Sequence, residues 1–81
     1  MDIKLFPNPL VSGYHDKIFV DTELNEQVNV SIYNMSGVLL KREIMLKEDK
    51  TIEFIQGAGI YFVLFDFLES EVSLTKKLFI Y

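Results

Sequence analysis

Turn-forming residues divide this chain at short intervals, and that spacing constrains its fold more than any other feature. Pro7-Asn8-Pro9, Ser12-Gly13, Asn25-Glu26, Asn34-Met35-Ser36-Gly37, Glu48-Asp49 and Gly57-Ala58-Gly59 separate runs of strand length. Most of these runs alternate apolar and polar residues, the period of a strand with one buried face. Lys17 to Thr22 sets Ile18 and Val20 on one side. Gln27 to Tyr33 turns Val28, Val30 and Ile32 inward and Asn29 and Ser31 outward. Thr51 to Phe54 groups Ile52 with Phe54, and Glu71 to Tyr81 groups Val72, Leu74, Leu78 and Ile80, with Lys76 interrupting that row. Ile60 to Phe67 is apolar on both faces, as a central strand covered on both sides would be. Ile3 to Phe6 and Val38 to Leu46 bring the count to seven strands.

The stretch Val38 to Lys47 tests this reading, because its residues are good helix formers. Two features favour a strand. Val38, Leu40, Ile44 and Leu46 alternate with only Arg42 out of place, and Asn34 and Gly37 sit at the first and last positions of a hairpin turn. An all-β, seven-stranded β-sandwich over residues 1–81 as one domain follows from the strand spacing.

Composition permits such a core without staples. The 81 residues are near the lower limit for a self-sufficient domain, but 49% are hydrophobic. Seven Phe and four Tyr are each worth about 1.5–3 kcal/mol when enclosed. The absence of Cys excludes disulfides, thiolate metal sites and a cysteine nucleophile. A net charge of −4 with scattered basic residues argues against nucleic acid as a partner. The longest apolar run, Ile60 to Phe65, is far short of a membrane helix, so no membrane insertion is expected. Lys4 is followed by Pro7-Asn8-Pro9 rather than by an apolar signal core, so an exported chain of this kind is expected to be a piece of something larger.

Chemistry-bearing constellations are sparse. The single His15 lies beside Asp16 in a polar loop, and no Gly-x-Ser-x-Gly elbow marks Ser12, Ser31, Ser36, Ser70 or Ser73 as a nucleophile. A solvated loop histidine is the better reading. Glu48-Asp49 lies between Lys47 and Lys50 as a hydrated turn, and no Asp-x-Asp-x-Asp run suggests calcium. Gly57-Ala58-Gly59 leads into a strand, which favours a tight turn with positive φ over a phosphate loop. Asn29-Val30-Ser31 and Asn34-Met35-Ser36 match the glycosylation sequon, a tripeptide that arises often by chance. The chain is read as non-enzymatic, with no catalytic residue, cofactor or metal.

The remaining features form an ordered set. The first strand ends in Phe6-Pro7-Asn8-Pro9; Val30-Ser31-Ile32-Tyr33-Asn34-Met35-Ser36-Gly37-Val38 follows; then Gly57-Ala58-Gly59-Ile60-Tyr61-Phe62-Val63; and Thr75-Lys76-Lys77-Leu78 lies near the end. In order and spacing this set resembles the C-terminal sorting domain of the type IX (Por) secretion system of Bacteroidetes, across essentially the whole chain. The turn before Gly59 lacks the Leu-Pro approach common in that family, and Phe79-Ile80-Tyr81 is more aromatic than its usual ending.

The resemblance implies an immunoglobulin-like sandwich acting as an address. Residues 1–81 would be a C-terminal sorting domain of a larger secreted protein, with the cargo N-terminal in the same chain. Partners would be the type IX translocon and its sortase components, which commonly remove the domain. The route would run through the periplasm to the cell surface or the medium. Recognition is expected to involve Pro7, Asn8, Pro9, Gly59, Tyr61, Lys76, Lys77 and Leu78, with the last strand offering an open edge and Lys76, Lys77 and Leu78 supplying specificity. Lys76 and Lys77 are expected on opposite faces of that strand. The alternative is an immunoglobulin-like accessory module that binds carbohydrate or spaces domains in a secreted enzyme. It calls for a flat platform of exposed aromatics, whereas residues 61, 62, 65 and 67 read as core by pattern.

Overall fold

The computed structural model describes residues 3–22, 26–46, 50–54 and 56–81. The Asn25 half of one expected turn, and Glu48-Asp49, lie outside the described residues. The described chain is all β: β1 (Ile3–Phe6), β2 (Lys17–Thr22), β3 (Val28–Tyr33), β4 (Leu39–Met45), β5 (Thr51–Glu53), β6 (Gly59–Phe67) and β7 (Val72–Ile80). One sheet has the order β1-β2-β5 and the other β4-β3-β6-β7, and every named strand pair is antiparallel. This is the seven-stranded sandwich the turn spacing predicts.

Alternation builds the core. Ile3 and Leu5, Ile18 and Val20, and Ile52 face inward from the first sheet; Val28, Val30, Ile32, Tyr61, Val63, Phe65, Phe67, Leu78 and Ile80 answer from the second. Phe65 and Phe67 are the largest fully enclosed side chains, and Met45, Phe54 and Leu10 complete the interior. Two apolar faces that must each leave water find one solution in packing against each other.

The hairpin between β3 and β4 forms where Asn34 and Gly37 predict it. The N–H of Gly37 donates to the Asn34 carbonyl at 3.0 Å, and the N–H of Asn34 to the Val38 carbonyl at 3.0 Å. Asn34 Oδ1 also accepts from the N–H groups of Ser36 (2.9 Å) and Val38 (3.0 Å). Gly37 has φ +81°, a conformation that glycine adopts without cost. The Asn34 side chain is thus a turn-builder, and Asn29 of the other sequon lies mid-strand opposite Ile44 and Asp66.

Two orientation readings need correction, in β4 and in β6. In β4, of the expected interior set of Val38, Leu40, Ile44 and Leu46, only Leu40 packs against the core: Val38, Ile44 and Leu46 are exposed, and Met45 is buried. The cause is a register shift between Ile32 and Tyr33, where pairing passes from Ile32↔Lys41 to Tyr33↔Leu39 and Leu40 is skipped. Lys41 and Glu43 then share the inner row with Met45. An edge strand tolerates them because their charged ends can reach the open side, where Lys41 Nζ donates to the Glu53 carbonyl and lies 3.7 Å from Glu43 Oε2. In β3, Ser31 turns outward as expected but is buried, its Oγ accepting from Arg42 Nε at 3.2 Å. In β6, only the inner row is enclosed. Ile60, Phe62 and Leu64 are half-buried on the outer face, flanked by residues of β3 and β7 rather than covered by a further layer. Phe62 is therefore not a core residue.

Candidate functional site

Three of the four motif segments, those of Pro7-Asn8-Pro9, Gly59–Tyr61 and Lys76-Lys77-Leu78, come together along the end of β7, while Val30 to Val38 lies in β3 and its turn to β4. Pro7 and Pro9 have no N–H to give, so the chain leaving β1 cannot continue an ordinary ladder there. It crosses instead to the other sheet and runs parallel to the end of β7, with Leu10 bridged to Ile80. The Leu10 N–H donates to the Phe79 carbonyl at 2.8 Å, the Tyr81 N–H to the Leu10 carbonyl at 2.9 Å, and the Ser12 N–H to the Tyr81 carbonyl at 2.7 Å. Leu10 is only 1% exposed and anchors this strap in the core.

Asn8 completes the strap with its side chain. Its Nδ2 donates to the Lys77 carbonyl at 3.0 Å, and its Oδ1 accepts from the Phe79 N–H at 3.0 Å. The carboxamide thus presents to β7 the donor and acceptor that a paired strand residue would, beside two prolines that cannot donate. Replacing Asn8 by alanine is expected to cost about 1–2 kcal/mol in urea unfolding, with faster amide exchange at Phe79. Asn8→Asp keeps an acceptor for Phe79 but sets a carboxylate against the Lys77 carbonyl, so it should cost more than alanine. Equal stability of all three proteins would show that the clamp contributes nothing.

Gly59 and Tyr61 face the same strand from the other side, with registers Gly59↔Ile80 and Tyr61↔Leu78. Gly59 has φ +157°, and an added Cβ would meet the Tyr61 ring at 3.7 Å, an ordinary contact. The requirement is therefore conformational. The Tyr61 ring is 8% exposed and meets Phe54 edge-on at 5.3 Å, and its hydroxyl donates to the Gly57 carbonyl at 2.7 Å. Aromatic ring, glycine turn and last strand are one packed unit.

The eight candidate residues divide by exposure. Asn8, Pro9 and Lys77 are exposed, Pro7 and Lys76 half-buried, Gly59 exposed at the strand start, and Tyr61 and Leu78 buried. Lys76 lies in the inner row opposite Val63 and Lys77 on the outer face opposite Phe62, so the two lysines do take opposite faces. The open edge expected at Lys76 to Leu78 is largely occupied, because the strap and Asn8 pair with β7 from Lys77 to Tyr81. Leu78, with no exposed surface, serves the core. Sequence reasoning missed Leu10 and Ser12, whose only signal is their place just after a proline pair that must leave the first strand.

His15 belongs to the same loop. Its Nδ1 accepts from the Val11 N–H at 3.0 Å, and the main-chain N–H of His15 donates to the Val11 carbonyl at 2.9 Å. The nitrogen that Asp16 would have to orient in a catalytic pair is thus held by the backbone. Phe6 and Phe19 are exposed neighbours on β1 and β2, stacked with centroids 5.6 Å apart and 16° between planes.

Comparison with protein families gives a match to the secretion system C-terminal sorting domain over residues 4–81. A search of curated proteins returned no match. Among solved structures, the chain is similar to PorZ, an essential bacterial surface component of the type-IX secretion system of human oral-microbiomic Porphyromonas gingivalis. The likeness has a TM-score of 0.76 at 20% identity, over 98% of this chain and 11% of that one. At that identity it shows a shared fold, and the chain spans about a tenth of that protein's length. The matched span takes in the strap, the Asn34 turn, the Gly59–Tyr61 unit and the Lys76-Lys77-Leu78 strand, and the chain belongs to the C-terminal sorting domains of the type IX secretion system, a family of Bacteroidetes whose members are addressed across the outer membrane to the cell surface or beyond.

Proposed function

We propose that this module is a non-catalytic address. The cargo lies N-terminal to it in one longer chain, the type IX translocon reads the folded module, and a surface sortase commonly removes it. It acts without cofactor, nucleic acid or insertion into the membrane. The observation that supports this most is the convergence of three motif segments on the end of β7, with Lys77, Asn8 and Pro9 at the surface and Tyr61 and Leu78 shaping them from beneath. In this reading Pro7, Gly59 and Lys76 set the backbone path and flank of the surface. A partner would read a shape that exists only when the domain is folded.

The test is Lys77→Ala in a reporter fusion. An exposed lysine contributes under about 1 kcal/mol to stability, so thermal unfolding should be nearly unchanged. Export should fall severalfold, with reporter retained in the periplasm. Undiminished export with a normal fold would remove Lys77 from the recognition surface.

A further inference from the structure

A sheet edge is a row of unpaired N–H and C=O groups, and sandwiches blunt their edges to avoid pairing with other chains. The described edges here are treated unequally. β1 and β5 are only four and three residues long, and Lys41 caps the Glu53 carbonyl at the end of β5. β4 carries the register shift and the consecutive charges Lys41, Arg42 and Glu43. The last part of β7 is closed by the strap. Val72 to Thr75 has none of these devices, and it pairs in unbroken register with β6 from Phe67↔Val72 to Leu64↔Thr75.

The direction of its free groups follows from the strap. Phe79 turns its N–H and C=O away from β6, toward Asn8 and Leu10. Backbone direction alternates along a strand, so Ser73 and Thr75 turn theirs the same way. Among the described residues no main-chain group of a turn or loop bonds to them. The stretch is also held in place: the N–H and hydroxyl of Ser70 donate to the Glu26 carboxylate at 3.1 and 2.8 Å, and the Ser73 hydroxyl donates to Asp66 across the sheet.

The geometry points to a second copy of this chain as the partner of that edge, paired antiparallel about a two-fold axis at Leu74. Such pairing sets Ser73 opposite Thr75 of the other copy, and Thr75 opposite its Ser73, so each pair exchanges two main-chain hydrogen bonds. Charge complementarity fixes the register. The exposed Glu71 bounds the open stretch at one end and the exposed Lys77 at the other, so the antiparallel copy brings each Glu71 beside a Lys77. The half-buried Leu74 side chains meet at the centre of the inner face. Length fits as well, because the added strand ends at its own β6–β7 turn where the strap begins. The shared stretch is short, so the dimer is weak, on the order of 0.1–1 mM, well below the area of a standard interface.

Amide spectra of the chain recorded on dilution from about 1 mM test this without any other protein. Resonances of Ser73 and Thr75 should shift with concentration. Glu71→Lys alone and Lys77→Glu alone should each weaken association about tenfold, since each sets like charges opposite one another. A one-to-one mixture of the two variants should associate at least as well as the unaltered chain, because their edges are complementary. Should Glu71→Lys perturb its turn, Thr75→Pro removes an outward N–H without touching the β6 ladder and should abolish the shifts. A chain that stays monomeric at about 1 mM, shifts centred elsewhere, or association indifferent to these charges would overturn the proposal.

Discussion

Truncating Tyr61 to alanine is expected to destabilise the domain by about 3–5 kcal/mol, the usual cost of deleting a large enclosed aromatic. The ring is 8% exposed, packs edge-on against Phe54 and neighbours Leu78 in the register of β7. Little around it can collapse into the space, because β6 is paired on both sides. A domain of this length has a total stability of roughly 5–10 kcal/mol, so the variant should be partly unfolded at 37 °C. Tyr61→Phe keeps the ring and loses only the bond to the Gly57 carbonyl, about 1 kcal/mol. Denaturant unfolding of both variants measures the difference. A loss below about 1 kcal/mol for alanine would mean that the ring does not fill the core.

Much of this architecture was legible because alternation is a strong signal where one face is buried. Val28-Val30-Ile32 and Ile52-Phe54 took the faces their period predicts, and Asn34 with Gly37 placed the hairpin to the residue. The reading failed in β4, where it depended on counting across a bulge. One skipped residue, Leu40, inverts the phase of everything after it. It also failed for Ile60, Phe62 and Leu64, since an apolar residue in a central strand is equally consistent with an inner face and with an outer face screened by its neighbours.

The candidate site was legible as a set of residues but not as an arrangement. Pro7-Asn8-Pro9 and Lys76-Lys77-Leu78 lie at opposite ends of the sequence, and nothing in either shows that the Asn8 side chain bonds to the backbone of the other. Long-range pairing of this kind exists only where the closed sandwich brings the two segments together. The same closure explains why an edge expected to be open at Lys77 and Leu78 is occupied, while the unprotected stretch lies at Ser73 and Thr75. The buried Leu78 and the exposed Lys77 illustrate a further ambiguity. A motif marks which residues belong together, and only the fold separates those that shape the surface from those that form it.

These residues are expected to suffice as an address. Residues 1–81, fused behind a signal peptide and a reporter, should carry the reporter to the surface or medium of a type IX-competent host. In an otherwise identical strain lacking the translocon, the same fusion should accumulate in the periplasm. Quantifying reporter in the two compartments of both strains is the direct measurement. Export only from the competent strain is the predicted result. Equal export from both strains, or retention in the periplasm of both with the domain folded, would show that residues 1–81 are not a type IX address.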